Sequence, residues 1–290
     1  MNRFKADLLV LAAALIWGVA FYFQKVAMDH VGPFLFTGSR AVIAALVLAP
    51  FALRERRNGP AEPLSLFPIA IFGGLAFTAA GVLQQAGITT ATVTNTSFLT
   101  ALYVVLTPFL LWLIRSERPG LRVWIAAIVA FFGIWALGGG TLDGFSRGDW
   151  LVAACAIFWA LYMVATSASS KAARPLQYTC YSFATVALIC LPVSLLTEQP
   201  SFQSLADAAV PMLYVGILSS ALTFALLSVS VQHIPAARAS ILLSTETLFA
   251  AAAGFLLLGE RLSLIGWMGA ALVFAAILLI QTEPKPQKTE

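Results

Sequence analysis

Long uncharged apolar runs are the feature that most limits what this chain can fold into. Ten stretches meet or approach the ~20 apolar residues needed to cross a bilayer core of ~30 Å. Because lipid offers the backbone no hydrogen-bond partners, each crossing segment is expected to be helical. We therefore predict an all-α membrane protein with ten transmembrane helices. The predicted spans are 8–28, 34–53, 66–87, 92–114, 122–141, 150–168, 176–196, 210–231, 236–258 and 263–280.

Composition excludes several other classes of protein. The chain is 60% hydrophobic and 10% charged, whereas soluble domains are about 25% charged. The net charge of +4 comes from Lys and Arg at span ends, so no nucleic-acid partner is predicted. The cysteines Cys155, Cys180 and Cys190 lie inside apolar runs, where they are expected to pack as small residues. No spacing typical of a metal or cofactor site is present, and neither is predicted.

The distribution of basic residues predicts the orientation. The loops and chain ends on one side carry Arg3, Lys5, Arg54, Arg56, Arg57, Arg115, Arg118, Arg122, Lys171, Arg174, Arg238, Lys285 and Lys288. The opposite loops carry only Arg147 and Arg261. The positive-inside rule then places both termini in the cytoplasm. We predict a multi-pass protein of the cell inner membrane, surrounded by lipid.

The second half of the chain repeats the first. Asp7–Trp17 matches Asp149–Trp159 at an offset of 142, and Trp124 matches Trp267 at an offset of 143. Each half holds five spans, and because five is odd, the second copy must enter the membrane inverted. Inverted repeats are typical of transporters, in which they supply two equivalent gates around one central site.

These boundaries give the predicted organisation. Residues 1–142 form the first five-helix repeat, 148–282 the inverted second repeat, and 283–290 a cytoplasmic tail. Neither half is expected to act as an independent domain, because the substrate path needs both. The sequence is compatible with a monomer.

Polar side chains concentrate in spans three, four, eight and nine, whereas spans five and ten are almost wholly apolar. Polar groups at membrane depth face the bundle interior or a wet cavity. Thr96, Thr100, Tyr103 and Thr107 recur on one helical face of span four, and span nine carries a similar stripe that includes Ser244. These stripes predict a cavity lining, although the hydroxyls could also join packed helices, at ~0.6 kcal/mol each.

Aromatic residues form a second signal. Trp17 and Phe21 share a face of span one, and Trp159 and Met163 share a face of span six. Both tryptophans lie near mid-span rather than at the interface, so they are either core packing or symmetric walls for an apolar or aromatic solute.

Few charged residues lie within the predicted spans. Glu246 is the only acid near mid-span, where burial of a charge costs about 2.5–3.5 kcal/mol. It is expected to orient a substrate ammonium group, to carry a coupling proton, or to bond a neighbouring helix as a neutral acid. Arg40 could bind a substrate carboxylate, but a structural role is favoured. Lys25 and Asp29 are spaced to form a local pair.

The sequence resembles the EamA family of the drug/metabolite transporter superfamily over nearly its whole length. The resemblance rests on the segments LIWGVAFYFQK and IFWALYMVATS, and on the hinges FLTALYVVLTPFLLWLIRSERP and LLSTETLFAAAAGFLLLGERLS. It implies export of small metabolites, and among family members we favour YddG-type exporters of aromatic amino acids. Spans three and four carry fewer Tyr and Trp than expected of that subgroup, so aliphatic solutes are also expected.

The predicted function is therefore a secondary transporter that exports aromatic amino acids and other amphipathic small metabolites by alternating access. One alternative is a proton-coupled efflux pump for lipophilic cations, and another is a non-transporting packing or signalling subunit. No catalytic motif is present and no enzyme is predicted. The predicted substrate-binding residues are Trp17, Phe21, Phe77, Thr78, Phe98, Thr100, Tyr103, Trp159, Met163, Thr223, Phe224, Ser244 and Glu246.

Overall fold

The fold was examined in a computed structural model that describes residues 1–58, 65–116, 118–137, 140, 146–259 and 263–281. All regular elements in these ranges are helical. The α-helices are α1 (Arg3–Ala27), α2 (Pro33–Asn58), α3 (Leu66–Ile88), α4 (Val93–Thr100), α5 (Tyr103–Arg115), α6 (Leu121–Leu137), α7 (Arg147–Ser169), α8 (Pro175–Thr197), α9 (Phe202–Asp207), α10 (Ala209–Leu213), α11 (Thr223–Ser230), α12 (Ala236–Leu243), α13 (Glu246–Leu258) and α14 (Leu264–Gln281). A π-helical segment, Tyr214–Leu222, joins α10 to α11, and a 3₁₀ turn, Ser170–Ala172, follows α7.

The chain is a multi-pass membrane protein by the length and apolar character of its helices. Eight helical segments among the described residues are long and apolar enough to cross a membrane. Predicted spans five and ten correspond to shorter apolar helices, Leu121–Ala136 and Leu264–Leu279. Part of predicted span five, and the predicted tail at 283–290, lie outside the described residues.

Helices α2 and α8 pack against each other in opposite directions. Glu198, just after α8, accepts hydrogen bonds from the backbone N–H groups of Phe34 and Leu35 in the first turn of α2, at 2.8 and 2.7 Å. Glu55, in the last turn of α2, accepts from the N–H groups of Leu176 and Gln177 at 3.4 and 2.7 Å. Each carboxylate satisfies amide donors that the start of a helix leaves free. The start of each helix therefore lies beside the end of the other.

Predicted spans four and nine are both broken in the middle. The first break falls at residues 101–102, between α4 and α5, and the second at residues 244–245, between α12 and α13. Both breaks contain i→i−3 backbone bonds, such as Val104 N to Ala101 O at 3.0 Å and Thr247 N to Ser244 O at 3.2 Å. This tighter 3₁₀ geometry rotates the helix face that follows it. Tyr103 and Glu246 each begin the second half of their broken helix.

Helices α6 and α14 form a pair at the side of the bundle. A side chain at Gly133 would approach Gly269 O to 2.9 Å and Val273 N to 2.8 Å, so the two backbones touch there. The outward faces of the pair keep large apolar residues exposed, among them Phe132 and Trp267 at 52% and 64%. Such faces suit contact with lipid.

Candidate functional site

A cavity of about 490 Å³ lies among helices from both halves of the chain. This volume includes space that opens to solvent. The residues that line it are Trp17, Phe21, Gln24, Arg40, Gln84, Thr100, Tyr103, Trp159, Tyr162, Met163, Ser219, Phe224, Leu227, Leu243 and Glu246. Most of the wall is apolar, and the polar groups are few, as expected of a site that binds an amphipathic molecule.

Stacked and edge-on aromatic rings form one wall. The Phe224 ring lies between two tryptophans, with its centroid 4.7 Å from the Trp17 ring and 5.9 Å from the Trp159 ring. Phe77 packs edge-on to Trp159 at 5.0 Å and lies 5.1 Å from Phe224. Aromatic pairs at these distances hold one another in place. The result is a firm apolar surface rather than a set of separately mobile side chains.

The two equivalent tryptophans differ in their polar contacts. Trp17 Nε1 donates to the carbonyl oxygen of Ser219 at 2.8 Å, whereas Trp159 Nε1 is buried and has no hydrogen-bond partner among the described residues. Ser219 lies in the π-helical segment, which is a backbone geometry often found at functional sites. The wider turn leaves its carbonyl oxygen accessible to side chains, including Thr223 Oγ1 at 2.6 Å.

Two charged side chains line the cavity, one of each sign. Arg40 is 2% exposed and Glu246 is 3% exposed. The Arg40 guanidinium donates from Nε to Ser220 Oγ at 2.9 Å and lies 5.3 Å from the centroid of the Phe77 ring. Glu246 begins α13, where the positive end of the helix dipole favours a carboxylate. Tyr103 lies next to the Glu246 carboxylate.

Buried polar atoms without hydrogen-bond partners gather in the cavity wall. A buried polar group that forms no hydrogen bond costs about 1–3 kcal/mol, so several together suit contact with a polar molecule. Six of the lining residues carry such an atom: Arg40 Nη1, Tyr103 Oη, Trp159 Nε1, Tyr162 Oη, Ser219 Oγ and Glu246 Oε1. The wall can therefore offer both donors and acceptors to a bound molecule.

Glutamine side chains order one edge of the cavity. Gln84 Nε2 donates to Thr100 Oγ1 at 2.8 Å, and Gln85 Nε2 donates to Gln24 Oε1. These bonds join α3 to α4 and to α1. In the described part of the chain, no group of three or more His, Cys, Asp or Glu residues could hold a metal ion.

Most of the predicted site residues reach the cavity. Eight of them line it: Trp17, Phe21, Thr100, Tyr103, Trp159, Met163, Phe224 and Glu246. Phe77 lies against this wall through its ring contacts, and Phe98 is buried elsewhere, at 5% exposure.

The other three predicted residues, all hydroxyl-bearing, turn back to their own helices. Thr78, Thr223 and Ser244 donate to the carbonyl oxygens of Gly74, Ser219 and Ile241 at 2.9, 2.6 and 2.6 Å. Such local bonds compete with any ligand for the hydroxyl, and none of the three lines the cavity.

Sequence reasoning also left out several lining residues. These are Gln24, Arg40, Gln84, Tyr162, Ser219, Leu227 and Leu243. Gln24 and Tyr162 follow Phe21 and Trp159 by three residues, so the helical period was a usable signal for them. Ser219 had no such signal, because a π-helical segment departs from that period.

The cavity lies between the two ends of the helix bundle, and at each end side-chain hydrogen bonds join the two halves of the chain. At one, called the Asp7 end, Arg238 donates from Nε and Nη2 to the two carboxylate oxygens of Asp7, at 3.0 and 2.8 Å. At the other, called the Asp149 end, Asn95 Nδ2 donates to Asp149 Oδ1 at 3.2 Å. Arg238 is one of the basic residues from which the orientation was predicted. It does not lie in an exposed loop: it is buried, at 2% exposure, because its ion pair with Asp7 is internal.

Lys25 shows that these two links lie at opposite ends. Its Nζ donates to the carbonyl oxygens of Ile88, Thr89 and Ala91 at 2.6, 3.0 and 3.1 Å. The prediction of a pair with Asp29 was wrong, because the free carbonyls after α3 hold the ammonium instead. The end of α1 thus lies beside the start of α4, whereas Asp7 lies about 27 Å from Lys25 along the helix axis, at 1.5 Å per residue.

Comparison with known proteins agrees with this architecture. The sequence model of the EamA-like transporter family matches residues 4–139 and again 146–282. An uncharacterized transporter of Archaeoglobus fulgidus is 27% identical over 97% of this chain and 87% of its own length. The uncharacterized inner membrane transporter YicL of Salmonella typhimurium is 26% identical over 97% of this chain and 96% of its own.

Two further comparisons cover almost the entire chain. A probable terminal-alkyne amino-acid exporter of Streptantibioticus cattleyicolor is 26% identical over 100% of this chain and 98% of its own. One solved crystal structure shares the fold with a TM-score of 0.76, covering 96% of each chain at 18% identity. Since two copies of the family model together span nearly all of the sequence, the chain is a membrane transporter, not an enzyme, and belongs to the EamA-like transporter family.

Proposed function

We propose that this transporter exports amino acids, with a preference for aromatic and other amphipathic ones. The observation that carries the proposal is the cavity wall, in which Trp17, Phe224 and Trp159 form a continuous aromatic surface beside the buried acid Glu246. The rings suit an apolar side chain, and the carboxylate suits an ammonium group. The Streptantibioticus relative, described as a probable terminal-alkyne amino-acid exporter, supports the same class of substrate.

The proposed mechanism is alternating access by two inverted five-helix repeats. The second helix of each half runs antiparallel to its counterpart, because Glu198 and Glu55 each lie at the start of the opposite helix. An inverted pair of repeats produces this relation. The links Asp7–Arg238 and Asp149–Asn95 occupy matching positions in the two halves, and each would part when its end of the cavity opens.

The proposed topology keeps the ten-span count and the repeats at 1–142 and 148–282. In this arrangement α6 and α14 are the fifth and tenth spans, lying side by side in contact with lipid. The protein lies in the cell inner membrane with both termini in the cytoplasm, and one chain is sufficient for transport.

Efflux from proteoliposomes tests this function. Vesicles containing the purified protein are loaded with labelled phenylalanine, threonine or tetraphenylphosphonium, and efflux is measured with and without a pH gradient. We expect phenylalanine to leave faster than from protein-free vesicles, and threonine more slowly than phenylalanine. Absence of selective efflux of either amino acid would contradict the proposal.

A proton-coupled pump for lipophilic cations is the second candidate, favoured by the buried acid Glu246. A Glu246→Gln variant separates the two functions. In a cation pump this variant abolishes efflux driven by the pH gradient. In an amino-acid exporter it weakens, but does not abolish, downhill phenylalanine flux. A protein without transport activity would move none of the three solutes.

A further inference from the structure

We infer that Arg40 is the carboxylate-binding residue of the cavity, so that the transporter selects zwitterionic amino acids over amines and carboxylic acids of the same shape. This inference rests on the proposed function. It reverses the structural role that sequence reasoning favoured for Arg40, and it assigns the polar headgroup of the substrate to two defined residues.

Arg40 has no counter-ion among the described residues. Within the described residues its guanidinium forms one hydrogen bond, to Ser220 Oγ, and no ion pair. Its Nη1 atom is buried without a partner. The contact with the Phe77 ring attracts the cation but does not neutralise it. A buried charge that is neither paired nor fully hydrogen-bonded is strongly unfavourable, and a purely structural role would not leave it so.

The Arg40 guanidinium is held in one orientation by two contacts. Its Nε edge is fixed by Ser220, and its plane is supported by the ring of Phe77. The remaining N–H groups form a planar fork, which matches the two oxygens of a carboxylate. Because Arg40 lines the cavity, that fork is available to a bound molecule rather than to another helix.

The cavity lining carries a negative charge as well as a positive one. Glu246 is the other charged residue of the lining, and it too has an unpartnered oxygen. Among the described residues no ion pair at 4.0 Å or less joins Arg40 to Glu246, so the two charges do not neutralise each other directly. A molecule that carries one ammonium and one carboxylate satisfies both side chains at once. An amine or an acid alone leaves one buried charge without a partner.

Binding of three phenyl compounds to the purified transporter in nanodiscs tests the assignment. L-Phenylalanine carries both charges, 2-phenylethylamine lacks the carboxylate, and 3-phenylpropionate lacks the ammonium. Wild-type protein is expected to bind phenylalanine roughly tenfold or more tightly than either analogue, because each analogue loses charge-assisted hydrogen bonds. In Arg40→Gln, phenylalanine affinity should fall to that of phenylethylamine, whose own affinity should not fall.

Glu246→Gln is the matched control, since it should remove the preference over phenylpropionate and keep the preference over phenylethylamine. Arg40→Lys keeps the charge but loses the fork, so it should weaken phenylalanine binding several-fold and retain some of the preference. It also provides the test if Arg40→Gln does not fold. Equal weakening of phenylalanine and phenylethylamine in the Arg40 variants, or an unchanged ratio between them, would overturn the assignment.

The two proposals fail in different ways. Wild-type protein that neither binds nor moves any amino acid overturns the proposed function. Wild-type protein that exports phenylalanine, together with an Arg40→Gln variant that still prefers it over phenylethylamine, overturns only the role of Arg40.

Discussion

The two ends of the cavity are linked at matching positions of the repeat, but with different chemistry. Asp7 and Asp149 are equivalent at an offset of 142, and Asn95 and Arg238 at an offset of 143. The Asp7 end has a buried, two-bonded ion pair. The Asp149 end has one amide hydrogen bond at 3.2 Å. Equivalent positions of the two halves thus carry a neutral donor in one case and a cation in the other.

From this difference we expect the two ends to open with unequal ease. Asp149 is already committed to its own helix, because its Oδ2 accepts from Ser146 N and Ser146 Oγ, both at 2.7 Å. Asp7 directs both carboxylate oxygens across to Arg238. Arg238 brings an opposite charge and two bonds to its carboxylate, whereas Asn95 brings one neutral donor. We therefore expect the Asp7 end to stay closed in the absence of substrate and the Asp149 end to open first.

The largest effect is expected when one partner of the Asp7–Arg238 ion pair is removed and the other stays in place. Arg238→Gln leaves Asp7 as a buried, uncompensated charge and should lower the free energy of unfolding by about 3–5 kcal/mol. Thermal unfolding in detergent measures this. The double variant Asp7→Asn with Arg238→Gln replaces the pair by two amides and should recover most of the loss. A single variant as stable as the wild type would refute the view that the pair is buried and coupled.

Strengthening the weaker link should slow transport rather than destabilise the fold. Asn95→Arg places a cation opposite Asp149 and makes the two ends alike. An added charge-assisted hydrogen bond contributes about 1.5–3 kcal/mol, so the efflux rate of phenylalanine should fall by about tenfold or more, with substrate affinity unchanged. Asn95→Gln keeps the amide and serves as the control. Undiminished efflux in Asn95→Arg would show that this end does not part during transport.

Removing the weaker link should have a smaller effect than removing the stronger one. Asp149→Ala loses the bond to Asn95 and the capping box with Ser146 at the start of α7. Capping interactions of this kind contribute about 1 kcal/mol. Thermal unfolding should show that loss, and Asp149→Asn should show less of it. A loss as large as that of Arg238→Gln would abolish the proposed difference between the ends.

The smallest effect is expected from the reciprocal caps of α2 and α8. Glu198 makes two short bonds, at 2.8 and 2.7 Å, whereas one of the two bonds of Glu55 is long, at 3.4 Å. Glu198→Gln should therefore destabilise the protein by about 0.5–1 kcal/mol, and Glu55→Gln by less. Chemical denaturation of both variants measures the difference, and the reverse order would contradict it.

Much of the fold could be predicted from the sequence, because hydropathy and segment length determine which parts of a chain can cross lipid. The aromatic wall was also predictable, since Trp17 with Phe21, and Trp159 with Met163, follow the period of a regular helix. Glu246 stood out because an acid at membrane depth is rare. These signals are local, and local signals are what one sequence provides.

The rest depended on departures from regular helix or on contacts between distant segments. The stripe on span four assumed one straight helix, but the helix breaks at 101–102, and of the stripe only Thr100 and Tyr103 line the cavity. The lack of a counter-ion at Arg40 depends on every helix around it. No spacing along the chain could show that.

The mid-helix breaks have a mechanical consequence. Tyr103 and Glu246 each lie at the point where a long helix is broken into two shorter ones. In a helix with such a break, one segment can tilt while the other stays fixed. One end of the bundle can therefore move while the opposite end keeps its position. Because Tyr103 and Glu246 line the cavity, we expect a bound solute to contact both breaks and to change how far each helix bends.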